Sequence, residues 1–170
     1  MTMDLDIRRI DSTCGPEAVE VINTAAAWYA EFLPPGEFDG IEMDLEQWLA
    51  EGRRLTWYGA FRDGRLLGVM GLEYVREVAL FRHAYILPSE QRRGVAAALQ
   101  ARITEDLRPV ERVLVGTYAA NHKARGVLEK GGYRLVEDSE AELRRYWDIP
   151  EHRLASSVVY ELRTDLRRST

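Results

Sequence analysis

Apolar positions recur every three to four residues in two long stretches and cluster in short runs elsewhere, which predicts alternating helices and strands. Val19, Ile22, Ala26, Tyr29 and Leu33 share one face of a helix that starts after Pro16 and stops at Pro34-Pro35-Gly36. Ala96, Leu99, Ile103 and Leu107 line a second helix, leaving Gln100, Arg102 and Glu105 to water. Two shorter helices are predicted over 44–51, with Leu45, Trp48 and Leu49 inward, and over 121–130, with Asn121 as N-cap and Gly131-Gly132 as the stop. Leu5, Ile7 and Ile10 mark a first strand near 4–11. Runs at 55–62 and 66–75 meet at Asp63-Gly64, a dipeptide that supplies the positive φ of a tight antiparallel hairpin. A third run, 78–87, continues the meander. Val113 to Tyr118, after the long helix, makes a crossover with parallel neighbours. Another strand begins at Tyr133 to Val136, a charged stretch from Glu137 to Arg153 interrupts, and Ser157 to Leu162 finishes the sheet before a frayed tail over 163–170. The expectation is an α/β fold: a mixed sheet of about seven strands, antiparallel in its N-terminal part and parallel at one pair, with helices on both faces.

Between the third strand and the long helix stands Ile86-Leu87-Pro88-Ser89-Glu90-Gln91-Arg92-Arg93-Gly94-Val95-Ala96-Ala97. A helix N-terminus offers unpaired N–H donors and partial positive charge, and small residues let a bulky anion approach them. The turn therefore reads as a pyrophosphate cradle. Neither Gly-x-x-x-x-Gly-Lys-Ser/Thr nor Gly-x-Gly-x-x-Gly is present, which argues against the two common nucleotide loops. Gln91-Arg92-Arg93-Gly94-Val95-Ala96 instead matches Gln/Arg-x-x-Gly-x-Gly/Ala. Downstream, Asn121-His122-Lys123-Ala124 and Lys130-Gly131-Gly132-Tyr133 follow in order. Together these motifs resemble those of the GCN5-related N-acetyltransferases, over a stretch from about Leu55 to Leu162.

That resemblance implies acetyl-CoA as co-substrate and direct attack of a bound amine on the thioester, with no metal. It implies main-chain contacts to the pantetheine arm at Ile86 and Leu87. The pyrophosphate would lie on the amides from Gln91 through Arg92, Arg93, Gly94, Val95 and Ala96 to Ala97, with Arg92 or Arg93 adding charge. Asn121 would hydrogen-bond the pantetheine region or simply cap its helix. Relatives carry a tyrosine general acid four residues after the motif alanine, where this chain has Leu128. Tyr118 is the first substitute, with Tyr85 and Tyr146 behind it. For the base, His83 and Glu73 are the residues of suitable type on the central strands, and an imidazole with an ordinary pKa of about 6.5 suits deprotonation of an amine. Strict strand alternation places His83 on the face opposite Arg82 and Ala84, and a purely structural histidine stays open. A non-catalytic acyl-CoA sensor on the same fold is the alternative.

Composition narrows the partners. A chain of 170 residues, 46% hydrophobic, suits one domain over 1–170. Net charge -5 gives no reason to expect a nucleic acid or an anionic membrane, and no apolar run approaches the ~20 residues of a membrane span. An acidic start without a basic-then-apolar pattern gives a cytoplasmic expectation. The acceptor is expected to be a small-molecule or peptide amine, and the family's habit leaves a homodimer open. The single cysteine, Cys14, reads as an ordinary thiol rather than an acyl-accepting nucleophile. Two segments each keep two readings. The stretch 34–43, with Phe38 and Ile41, is an acceptor lid or a connector; Tyr146-Trp147-Asp148-Ile149-Pro150 is an aromatic wall or a cover for the core edge.

Overall fold

The computed structural model describes residues 4–164. Seven strands form one open sheet: β1 Asp6–Arg9, β2 Thr56–Arg62, β3 Arg65–Val75, β4 Val78–Ile86, β5 Arg112–Tyr118, β6 Arg134–Leu135 and β7 Ser157–Arg163, in the spatial order β1-β2-β3-β4-β5-β7-β6. The helices are α1 Gly15–Ala26, α2 Leu45–Glu51, α3 Val95–Asp106, α4 His122–Lys130, α5 Ser139–Tyr146 and α6 Glu151–Leu154, placed on both faces. β1, β2 and β3 pair antiparallel, while β4 meets β5 in parallel through Ala79 with Val113 and Leu80 with Leu114. The mixed sheet with one parallel pair is thus the expected one. None of the described helices is long and apolar enough to cross a membrane.

The chain divides into two compact units, one from the N-terminal part up to Glu73 with Arg82–Leu107, the other from Tyr74–Phe81 and Arg108 onward. In the first, α1 turns Ala18, Val21, Ile22 and Ala25 onto Trp57, Leu66 and Val69. Trp48 from α2 stacks on Trp57 at 5.2 Å and 13°, so one indole pair joins helix to sheet. α3 covers the other side with Val95, Leu99 and Ile103, and Tyr58 donates to its Asp106 at 2.7 Å. In the second unit, Val78, Leu80, Leu114 and Val159 from the strands pack against Leu143, Tyr146 and Leu154 from α5 and α6.

Several expected bounds shift for local reasons. The first helix leaves α geometry at Ala26 and tightens into a 3₁₀ turn over Ala27–Glu31, where Trp28 and Phe32 rings close to 4.5 Å. In α2 only Trp48 is buried. Leu45 and Leu49, expected inward, are each 41% exposed, because a helix of two turns offers the core one narrow stripe. The strand expected from Tyr133 shrinks to two residues because the Tyr133 N–H returns to Leu128 O at 3.0 Å as part of the helix stop. The interruption at 137–153 contains α5 and all of α6 but its last residue, Leu154. Its helices carry few apolar positions, and α5 is set by the Asp138 cap on Ala141 N–H and by Arg144 bridging Glu140 and Glu151. Of the expected tail, Arg163 closes β7 and Thr164 N–H donates to Glu111 O at 2.9 Å; residues 165–170 lie outside the described residues.

Gly68 on β3 is enclosed tightly by β4: a Cβ there would lie 2.5 Å from Ile86 Cδ1 and 3.2 Å from Tyr85 O. Gly68→Val is expected to lower stability by about 1–3 kcal/mol through overpacking, read as a reduced urea midpoint with an unchanged m-value.

Candidate functional site

The turn after β4 is built to leave amides open. Leu87 N–H still pairs with Leu67 O at 2.9 Å, holding the end of β4 against its neighbour. Pro88 then starts a 3₁₀ turn, Glu90 N–H donates to Leu87 O at 2.8 Å, and the Gln91 side chain donates to Ile86 O at 3.3 Å. The Glu90 side chain turns inward and pairs with Arg62 at 2.8 Å, which holds its carboxyl below the usual range. Beyond it the backbone goes left-handed twice, at Arg92 with φ 64° and at Gly94 with φ 82°. Gly94 adopts this freely, while Arg92 does so against the preference of a side-chain-bearing residue. Gly94 brings no side-chain cap, and the Ala98 N–H is the first to reach back into α3, to Gly94 O at 3.0 Å. The amides before it face no helical carbonyl. No atom lies within 4 Å of where a Gly94 Cβ would be, so the cradle has room for a phosphate. Val95 is buried and contributes backbone alone, Arg92 and Arg93 are exposed, and Ala96 and Ala97 are small. These residues fit a pyrophosphate.

Asn121 belongs to the second unit, where its Oδ1 accepts the Ala124 N–H at 3.1 Å. The helix-cap role is therefore in place. Leu128, at the position where the motif would carry tyrosine, is buried beneath α4 with 4% exposure.

Of the two expected base candidates, His83 meets a carboxylate that the sequence did not suggest, and Glu73 joins it only through Arg82. His83 sits within β4 at φ 54°, a left-handed residue inside a strand. This breaks the alternation expected there: both Arg82 and His83 reach the same group, Glu51 at the end of α2. His83 Nε2 lies 3.2 Å from Glu51 Oε2, Arg54 holds Glu51 Oε1 at 2.6 Å, and Arg82 approaches Oε2 at 3.7 Å. Arg82 also donates to Glu73 at 2.7 Å, so Glu73 is committed to an ion pair. The Trp57 ring lies 5.5 Å from the His83 ring. Hydrogen bonding to His83, helped by the charges of Arg82 and Arg54, depresses the Glu51 carboxyl to about 2. Glu51 was missed because a glutamate at a helix end ordinarily faces water; only a left-handed residue in the strand beyond brings a histidine to it.

The tyrosines separate clearly. Tyr85 is buried, accepts from the Tyr29 hydroxyl at 3.5 Å and donates to Glu42 at 3.0 Å; burial first, then these neighbours, pushes its pKa well up. Tyr146 is spent on Glu77 in the second unit, and burial with that carboxylate raises its pKa too. Tyr118 ends β5 half-buried, with the Arg153 guanidinium 5.9 Å from its ring. Phe38 packs on the first core, and Trp147 and Ile149 on the second, where Trp147 also lies over Gly116. The core-covering reading of both segments thus has direct contacts behind it.

A family model described as the acetyltransferase (GNAT) family matches residues 22–133. The chain belongs to this family. Its fold is that of solved acetyltransferases. Similar structures include the PaiA N-acetyltransferase of Thermoplasma acidophilum in complex with coenzyme A, at TM-score 0.74 and 16% identity, covering 95% of this chain and 100% of that one. The ribosomal-protein-S18-alanine N-acetyltransferase of Escherichia coli aligns at TM-score 0.69 and 16% identity, covering 95% of each chain. YncA of Salmonella typhimurium, a putative acetyltransferase solved with acetyl-CoA, aligns at TM-score 0.68 and 15% identity, again over 95% of each. No curated protein matches the sequence.

In this GNAT chain the depressed Glu51 carboxyl also couples the site to pH. A carboxyl held below its ordinary 4.5 in the fold stabilises the native state above that value, and the contribution fades as pH falls toward about 2. Glu51→Gln is expected to lower stability at neutral pH and to flatten its decline between about pH 5 and 2, measured by urea unfolding across that range.

Proposed function

We propose that this family member is an acetyl-CoA-dependent N-acetyltransferase, acting on a primary amine of a small molecule or peptide by direct attack. The observation that carries the reading is the left-handed Arg92 and Gly94 turn, which opens the amides up to Ala97 at the start of α3. When bound, acetyl-CoA supplies a thioester whose carbonyl carbon is open to an amine. The amides from Arg92 to Ala97 take the pyrophosphate, with Arg92 and Arg93 adding charge, while the Gln91 N–H is held by Pro88 O. The resemblance assigns the pantetheine arm to the backbone of Ile86 and Leu87.

His83 is the general base, taking a proton from the incoming ammonium. It is preferred to Glu73 because Arg82 already holds Glu73 at 2.7 Å. A thiol of pKa about 8.5 needs little help to leave, so the loss of tyrosine at Leu128 is tolerable. That loss is also the observation favouring a second reading, an acyl-CoA sensor without turnover.

Release of coenzyme A thiol from acetyl-CoA across a panel of amines, beside a no-amine blank, tests the proposal. Turnover with one chemical class supports it. Silence across the panel, with binding confirmed by calorimetry, turns it toward the sensor. Gly94→Asp, which puts a negative side chain at a left-handed position, is expected to weaken coenzyme A binding by about tenfold or more, at a cost of about 1 kcal/mol in stability from the backbone strain. His83→Gln is expected to cut kcat by about a hundredfold with little effect on coenzyme affinity.

A further inference from the structure

The general-base reading leaves one question that the geometry addresses: which ring nitrogen of His83 takes the proton, and what holds it ready. We propose that Glu51 is the positioning residue for His83, its carboxylate fixing the neutral ring as the Nε2–H tautomer and leaving Nδ1 as the proton acceptor. The inference rests on His83 being the base.

The parts come from three elements of one compact unit. α2 ends at Glu51, β2 supplies Trp57 beside the ring, and β4 supplies His83. The two carboxylate oxygens are divided between partners: Oε1 takes Arg54 at 2.6 Å, and Oε2 faces His83 Nε2 at 3.2 Å with Arg82 at 3.7 Å. An ionised carboxylate only accepts, so the nitrogen facing it must carry the hydrogen, and in a neutral imidazole the other nitrogen then keeps its lone pair. Two cations on the carboxylate keep it ionised and hold it in place. The left-handed conformation of His83, φ 54°, is what turns the ring to this partner, and a strained residue within a strand is retained where the surroundings demand it.

In the reaction the ammonium of the acceptor gives one proton to Nδ1. The amine nitrogen then bonds to the acetyl carbon, the carbon–sulfur bond breaks, and the nitrogen sheds its second proton as the sulfur, leaving with the electron pair, takes one up. Meanwhile the imidazolium, charged on one side, faces the Glu51 carboxylate on the other. The charges facing the ring and this carboxylate are Arg54 after α2, Arg82 on β4 and, through Arg82, Glu73 on β3. Removing Glu51 leaves the charged ring beside two arginines with no carboxylate to face it.

Nitrogen-15 NMR of the His83 ring in the whole protein, assigned by comparison with His83→Gln, tests the tautomer directly. The wild type is expected to show a protonated Nε2 and a bare Nδ1, and Glu51→Ala to lose that preference. With the amine that turns over fastest in the panel, Glu51→Ala is expected to move the acid limb of kcat/KM to lower pH and to cut kcat about tenfold, with KM for acetyl-CoA unchanged. Glu51→Gln, whose amide oxygen still accepts, is expected to restore the tautomer but not the acid limb, and it carries the measurement if the alanine variant does not fold. A wild-type ring protonated on Nδ1, or a tautomer and acid limb both indifferent to Glu51→Ala, overturns the positioning role. A His83→Gln enzyme with full activity and an unchanged pH profile overturns the base assignment itself.

Discussion

The backbone of β4 and the turn that follows it constrain everything that gives this chain chemistry. Three side-chain-bearing or glycine residues in this stretch, His83, Arg92 and Gly94, take the left-handed conformation that right-handed chirality disfavours. Each redirects a different group. At His83 the departure brings two successive side chains to one carboxylate; at Arg92 and Gly94 it turns peptide N–H groups outward at a helix start. The cost is met by packing on either side. Tyr85 and Leu87 are buried in the first core, Val95 anchors α3, and Leu87 N–H keeps its bond to Leu67.

The electrostatics follow from where the strand puts its charges. Four ionic groups, Glu51, Arg54, Arg82 and Glu73, form one network that meets the His83 imidazole through Glu51, and every carboxylate among them has an arginine within 2.7 Å. Such a network is worth little as exposed ion pairs and more when partly buried, since removal of one partner strands the other. It also sorts the base candidates by chemistry: Glu73 is bound to a cation, whereas His83 is hydrogen-bonded at one nitrogen and retains another.

Membership of the GNAT family and the open amides of the cradle agree with each other by independent routes, one through the match over residues 22–133 and one through the backbone. Likeness at 16% identity to solved acetyltransferases speaks to fold.

Local signals carried far in this sequence. Asp63-Gly64 did become the hairpin turn between β2 and β3, Asn121 did become the cap of α4, and Gln91 to Ala97 did form a turn opening a helix, because turn chemistry, capping and small-residue spacing act over a few neighbouring residues. The seven-strand mixed sheet followed from runs long enough to show their period. What tertiary structure alone decided lies at longer range. A helix over 139–146 is held by caps and ion pairs and has little apolar period to read. The exposure of Leu45 and Leu49 depends on how much of α2 the core admits. Glu51 meets His83 across 32 positions of chain because α2 packs on β2 and because one strand residue is left-handed. Neither condition leaves a mark in the residues themselves, since an outlying φ at a histidine is imposed by the surrounding fold and has no sequence code of its own.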